Sequence, residues 1–88
     1  MSPGEPYAVE FTPTADTQIR KPFPDAAFDA LYAVLGAISR DPWGHTVADT
    51  TEESEAFRWA GFGGAGWVFV YVDEPRRTVR VHNVTWLG

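Results

Sequence analysis

An α+β fold of two layers, with two helices packed on a small, mainly antiparallel four-stranded sheet, is predicted by three observations. A period-2 stretch opens the chain, an amphipathic helical stripe follows, and three further extended stretches close it. The resulting order is β-α-α-β-β-β, and helices that bury a single apolar stripe need a sheet face to cover. The chain has 88 residues, 44% of them hydrophobic, which suits one domain spanning 1–88.

The first strand is "YAVEF", where Tyr7, Val9 and Phe11 alternate with Ala8 and Glu10. Residues 1–6 before it are expected to form a flexible N-terminus. Thr12 is a candidate helix N-cap, and Pro13 suits the first turn, so a short helix is expected through Ile19. "KPFP" ends it, because two prolines in three positions deny the backbone a continuous helix. From Pro24 to about Arg40 the apolar residues Phe28, Leu31, Leu35 and Ile38 fall three, four and three apart, with Ala27 and Val34 beside them. Asp25 and Asp29 near its start and Arg40 at its end match the helix dipole. Gly36 weakens this helix slightly and is read as a site of close crossing.

Residues 42–54, "PWGHTVADTTEES", have no periodicity and many turn formers, and are expected to be a mobile surface loop anchored by Trp43. "EAFRWA" then alternates Phe57 and Trp59 with Arg58 and Ala60. "WVFVYVD" is apolar at both parities, as a central strand should be. In "TVRVHNVTW", Val79 and Val81 share one parity and Val84 and Trp86 the other, which predicts a β-bulge at His82–Asn83. "EPRRT" between the last two strands has the makings of a short hairpin loop.

The glycine run "GFGGAG" (Gly61, Gly63, Gly64, Gly66) resembles a phosphate loop at first sight. Phosphate loops, however, place their glycines between a strand and a helix N-terminus. Here a strand follows and no Gly-Lys-Ser/Thr is present, so the run is read as a hairpin loop with glycines at positive φ. Phe62 within it is either a staple onto the sheet or an exposed contact.

Composition excludes several classes. No cysteine is present, so no disulfide framework or cysteine-type zinc site is available, and no metal or other cofactor is expected. No leader pattern or spanning apolar run is seen, which points to a cytoplasmic protein without membrane association. Net charge is −5, divided as −6 over residues 1–54 and +1 over 55–88. A strong non-specific nucleic-acid binder would carry a broad basic face, and here one would be small and C-terminal.

If Phe57, Trp59, Val79 and Val81 face the helices, period 2 places Arg58, Arg80 and His82 on the opposite face, approaching one another across the row of Val68, Val70 and Val72. Two arginines and a histidine there fit a bound phosphate plus one acid/base group, hence candidate catalytic residues; the alternatives are a plain binding role or solvated residues. Arg76 and Arg77 are candidate substrate contacts, or they pair locally with Asp73 and Glu74. His45 is read as a loop residue. Glu52, Glu53 and Glu55 form a solvated loop end, and the serines lack a neighbouring base.

The stretches "YAVEFTPTADTQI", "FDALYAVLGAISRDPWG" and "FRWAGFGGAGWVFVYVDEPRRTVRVHNV" together resemble the RelE/ParE superfamily of bacterial toxin-antitoxin toxins over nearly the whole chain. The resemblance implies a toxin neutralised by a cognate antitoxin, and in the ribonuclease branch an endoribonuclease acting on mRNA at the ribosome. Other members poison gyrase, and a divergent member can keep the fold as a non-catalytic interaction domain. The ribonuclease branch implies basic side chains on the sheet face away from the helices and a tyrosine near the C-terminus. Arg58 matches its first basic position, Ala60 stands where lysine is frequent, Val68 stands where an arginine is expected, and the 88 residues end at Gly88 without the tyrosine. Four tryptophans in so small a domain also make a homodimer plausible.

Overall fold

The computed structural model describes residues 5–20 and 23–88. The chain runs β1 (Ala8–Phe11), α1 (Pro13–Arg20), α2 (Asp25–Arg40), β2 (Val47–Ala48), β3 (Phe57–Phe62), β4 (Gly66–Asp73) and β5 (Thr78–Trp86). The sheet has five strands in the order β1-β5-β4-β3-β2, with β1 parallel to β5 and every other pair antiparallel. The expected order of elements is therefore present, with one strand more than the four expected. The expected flexible terminus lies outside the described residues for 1–4. Glu5 and Pro6 are exposed, and the Glu5 carbonyl accepts a 2.7 Å hydrogen bond from Arg77 Nη2.

The helices form where capping and periodicity require. Thr12 Oγ1 accepts the Ala15 amide at 3.2 Å, so Thr12 is the N-cap of α1 and Pro13 its first residue. α2 buries Ala27, Leu31, Leu35 and Ile38 against one sheet face. From below, that face supplies Val68, Val70 and Val72 of β4 and Val79, Val81 and Val84 of β5, each nearly inaccessible to solvent. This valine layer under two helices is the core, and burial of each such side chain contributes on the order of 1.5–3 kcal/mol. Gly36 is not a close crossing: a Cβ there would meet only Arg40 Nη1, at 3.8 Å.

The fifth strand, β2, comes from the segment 42–54. Arg58 Nε donates to Thr46 Oγ1 at 2.6 Å and its Nη2 to the Thr46 carbonyl at 3.0 Å, while the Asp49 amide donates to the Phe57 carbonyl at 2.9 Å. These bonds draw Val47 and Ala48 alongside Trp59 and Arg58. Pro42, not Trp43, is the buried residue at the start of this segment. Trp43 remains 40% exposed, with its Nε1–H on Glu74 Oε1 at 2.6 Å and the Arg58 guanidinium 4.9 Å over its ring.

The glycine run is a hairpin. Phe62 pairs with Gly66, and Gly63 and Gly64 adopt φ of 62° and 76°. Gly63 closes over the Trp86 ring, where a Cβ would lie 2.8 Å from Cζ3 and 3.2 Å from the Ala30 Cβ. Of the two alternatives for Phe62 the staple is the one present: it is buried and stacks on Trp86 with ring centroids 5.6 Å apart.

Candidate active site

The face of the sheet turned away from the helices is built by alternation. Along β4, Val68, Val70 and Val72 point to the core, so Trp67, Phe69, Tyr71 and Asp73 emerge on the open face. Register then fixes their neighbours. Phe57 lies opposite Tyr71 and Trp59 opposite Phe69 on β3, and Arg80 lies opposite Tyr71 on β5. The register shifts between Phe69, which faces Asn83, and Val70, which faces Val81. His82 is therefore the extra residue, and the bulge expected at His82–Asn83 is present. Its ring stands edge-on to Phe57 at 5.8 Å and lies 6.4 Å from Phe69, on the open face.

A cavity of about 520 Å³ opens here, lined by Phe57, Tyr71, Asp73, Arg76, Arg80 and His82. Two guanidinium groups and an imidazole thus converge beside one carboxylate. Arg76 Nε lies 3.8 Å from Asp73 Oδ2 with the guanidinium largely in solvent, a pairing weak enough for an incoming anion to compete. Burial between the aromatic rings pushes the His82 pKa below its ordinary value, and the Glu52 and Asp49 carboxylates act in the opposite direction. The imidazole is held neutral at neutral pH, the form in which it accepts a proton. Asp49 is itself kept ionised by the Thr51 hydroxyl at 2.6 Å and the Thr51 amide at 3.0 Å.

The expected trio is only partly brought together. Arg80 and His82 share the open face, but Arg58 does not join them. It pairs with Val70, and Ala60 with Val68, so the inward set of β3 is Arg58–Ala60–Phe62, while Phe57 and Trp59 face outward. Arg58 shares the helix face with the row of Val68, Val70 and Val72, so the sheet itself lies between Arg58 and the site. Small Ala60 sits in the core, and at the sheet's edge the longer Arg58 reaches Thr46, the Glu55 carbonyl and the Trp43 ring. Its donors are committed to holding β2.

Arg76 and Arg77 part company as well. Arg76 lines the cavity, whereas Arg77, at φ 47°, turns back to place its guanidinium 4.2 Å over the Tyr7 ring. Tyr7 in turn donates to Glu74 Oε1 at 2.5 Å. This bond and the one from Trp43 hold the Glu74 carboxyl below the usual carboxylate range. The Glu74 bond, with burial, raises the Tyr7 hydroxyl above its own ordinary value, against the opposing effects of Arg77 and Trp43. The Tyr7–Glu74–Trp43–Arg77 group is a structural clasp between the chain start, the turn after α2 and the β4–β5 hairpin. His45, as expected, is an exposed loop residue, its Nδ1 2.9 Å from the Asp41 carbonyl.

Among the described residues, no group of three or more His, Asp or Glu side chains is arranged to hold a metal ion. No helix there is long and apolar enough to cross a membrane. Phe57, Tyr71 and Asp73 are site residues that the sequence reading did not single out. The signal was the regular valine–aromatic alternation of "WVFVYVD", which separates an inward from an outward set.

No protein-family model and no curated protein matches the sequence. Solved structures do match. The RelBE2 toxin-antitoxin complex of Mycobacterium tuberculosis contains a chain that superposes with a TM-score of 0.77 at 23% identity, over 93% of this chain and 92% of that one. The isolated RelE toxin of E. coli superposes with a TM-score of 0.72 at 14% identity, over 93% of this chain and 85% of that one. The fold is that of RelE-type toxins.

Proposed function

We propose that this chain is a RelE-like toxin that acts as an endoribonuclease on mRNA and is neutralised by a cognate antitoxin. The observation that carries the reading is the open-face cavity, where Arg76 and Arg80 meet a histidine kept neutral by burial. The two guanidinium groups bind the non-bridging oxygens of a phosphodiester and stabilise the charge that builds on them. Neutral His82 takes the proton of the 2′-hydroxyl. The 2′-oxygen forms its bond to phosphorus, the bond to the 5′-oxygen breaks, and that oxygen leaves with a proton from water. The products are a 2′,3′-cyclic phosphate and a 5′-hydroxyl. Arg58 has no part in this chemistry, and Arg77 none in substrate binding, because their donors serve the fold.

The antitoxin partner is supported by the fold shared with a chain of a solved toxin-antitoxin complex. A second reading, a binding domain that keeps the fold without cleaving RNA, is favoured by the withdrawal of Arg58 to the helix side. Inducible expression separates the two. The toxin reading expects growth arrest with fragmented mRNA, relieved by Arg80→Gln and by His82→Asn. Unhindered growth with intact mRNA would overturn it in favour of the binding domain, and arrest with intact mRNA but altered DNA supercoiling would point to gyrase.

A further inference from the structure

The phosphate chemistry leaves the greater part of the open face unused. Starting from the cavity wall, the face carries an aromatic row: Phe57 and Trp59 on β3, and Trp67, Phe69 and Tyr71 on β4. Phe57 is opposite Tyr71, edge-to-face at 4.9 Å, and Trp59 is opposite Phe69. Trp67 lies opposite Gly61, where no side chain shades it, and is 37% exposed. No helix covers these rings among the described residues, since α1 and α2 both pack on the valine face. Apolar rings are unfavourable in water, and a sheet needs only one buried face to fold, so an exposed Trp67 in a row with four half-buried rings calls for an occupant.

The occupant's chemistry follows from where the row leads. Its Tyr71 end merges with the cavity lined by Arg76, Arg80 and His82. Residues two apart on a strand are separated by about 6.8 Å along the backbone, twice the rise of about 3.4 Å per nucleotide in a stacked strand. Aromatic side chains at that backbone repeat, running into a pair of guanidinium groups, match a polymer with a planar group and a phosphate in every unit. We infer that the row Trp59–Trp67–Phe69–Tyr71 is a stacking platform for the bases of single-stranded RNA next to the phosphate held in the cavity. Because stacking tolerates any base, the platform sets the requirement for an unpaired strand while leaving sequence nearly free. It also supplies affinity that the small basic area of a chain of net charge −5 does not. The inference rests on the RNA reading for its choice of ligand.

The test uses the full chain and a fluorescein-labelled octauridylate with 2′-O-methyl groups, which lacks the attacking hydroxyl and so reports binding without cleavage. Anisotropy titrations at low salt compare the parent with Trp67→Leu and Trp59→Leu, which keep apolar bulk and remove the indole face. Each variant is expected to weaken binding by about five- to a hundredfold without changing the salt dependence. An abasic backbone of the same length should bind the unaltered protein more weakly than the octauridylate, a comparison that needs no variant to fold. Equal affinity for the abasic strand, or parental affinity in both folded variants, overturns the platform. Absence of any octauridylate binding by the parent overturns it too and leaves the aromatic face to a protein partner. Cleaved mRNA in cells alongside base-independent binding would sink the platform and spare the toxin reading. Base-dependent binding without growth arrest would do the reverse.

Discussion

Replacing Gly63 and Gly64 one at a time by alanine separates backbone strain from packing within one turn. Both residues have positive φ, 62° and 76°, which a Cβ disfavours by about 1–2 kcal/mol. Part of that is offset because alanine narrows the unfolded ensemble, by about 0.4–1 kcal/mol. Around Gly64 nothing lies within 4 Å of the added carbon, so Gly64→Ala should cost about 1 kcal/mol. At Gly63 the same carbon would sit 2.8 Å from the Trp86 ring and 3.2 Å from Ala30. Trp86 has little freedom to retreat, being stacked on Phe62 and set 6.2 Å from Phe23. Overpacking adds about 1–3 kcal/mol, for a total of about 2–4 kcal/mol. The difference between the variants, about 2 kcal/mol, corresponds to roughly 8–16 °C in Tm for a domain of this size. Urea unfolding should show a lower midpoint for Gly63→Ala at unchanged m-value. Equal destabilisation by the two variants would refute the packing argument and leave only the turn conformation as the reason for the glycines.

Gly36→Ala should stabilise the protein by about 0.5–1 kcal/mol, read as a rise in Tm, because the helix gains a better former and the Cβ meets nothing closer than 3.8 Å. Arg58→Met should destabilise the fold by about 1–2 kcal/mol in urea, since Thr46 loses both charge-assisted bonds, yet leave octauridylate binding unchanged in the folded protein. For His82 the folded pKa lies below the unfolded value of about 6.5, so the unfolded state binds the extra proton first. The resulting stability is fully present above pH 6.5 and is lost as pH falls through the folded pKa; His82→Asn should flatten the slope of Tm against pH in that window. Deleting His82 should leave a protein with a cooperative transition and native-like near-UV circular dichroism, because "VRVNVTW" alternates without interruption in the register of β4. Loss of cooperative folding in that deletion would show that the bulge itself is required.

What was legible in the sequence was whatever one period controls. The stripe of α2 and the Thr12–Pro13 start of α1 depend on local chemistry, and both lie where the pattern puts them. The parity change at residues 82–83 is likewise a local signal, and the bulge is there. β3 was misread because "EAFRWA" alternates equally well in either sense. The condition that Phe57 and Trp59 face the helices fails because the facing strand decides the sense, with β4 setting its valines inward and its aromatics outward. A wrong choice at one strand flips every side chain on it, which is why Arg58 moved away from Arg80 and His82 as a unit with Ala60. β2 was invisible for another reason. Two residues have no periodicity, and their pairing depends on the Arg58 fork on Thr46, a contact 12 residues apart in sequence that only the fold brings near. Arg76 and Arg77 show the limit of adjacency: the φ of 47° at Arg77 sends neighbours to opposite sides of the hairpin.

The bulge explains how one strand serves both layers. β5 must place Val79 and Val81 in the core, and nearer its end it must also place Val84 and Trp86 there, beneath α2 and the Gly63 turn. Strict alternation from Val81 would send His82 outward and Asn83 inward, and would then turn both Val84 and Trp86 to solvent. Taking up one extra residue at position 82 restores Val84 opposite Val68 and Trp86 opposite Gly66. The residue spent on that correction need not satisfy the ladder on either side, so its side chain is free to be polar. It is placed against Phe57 and Phe69, beside Arg80, where a neutral imidazole has apolar walls and a cationic neighbour at the cavity. The same irregularity that keeps the core closed at the Trp86 end therefore supplies the site with its only imidazole among the described residues lining it. A structural demand and a chemical one are met by a single inserted position.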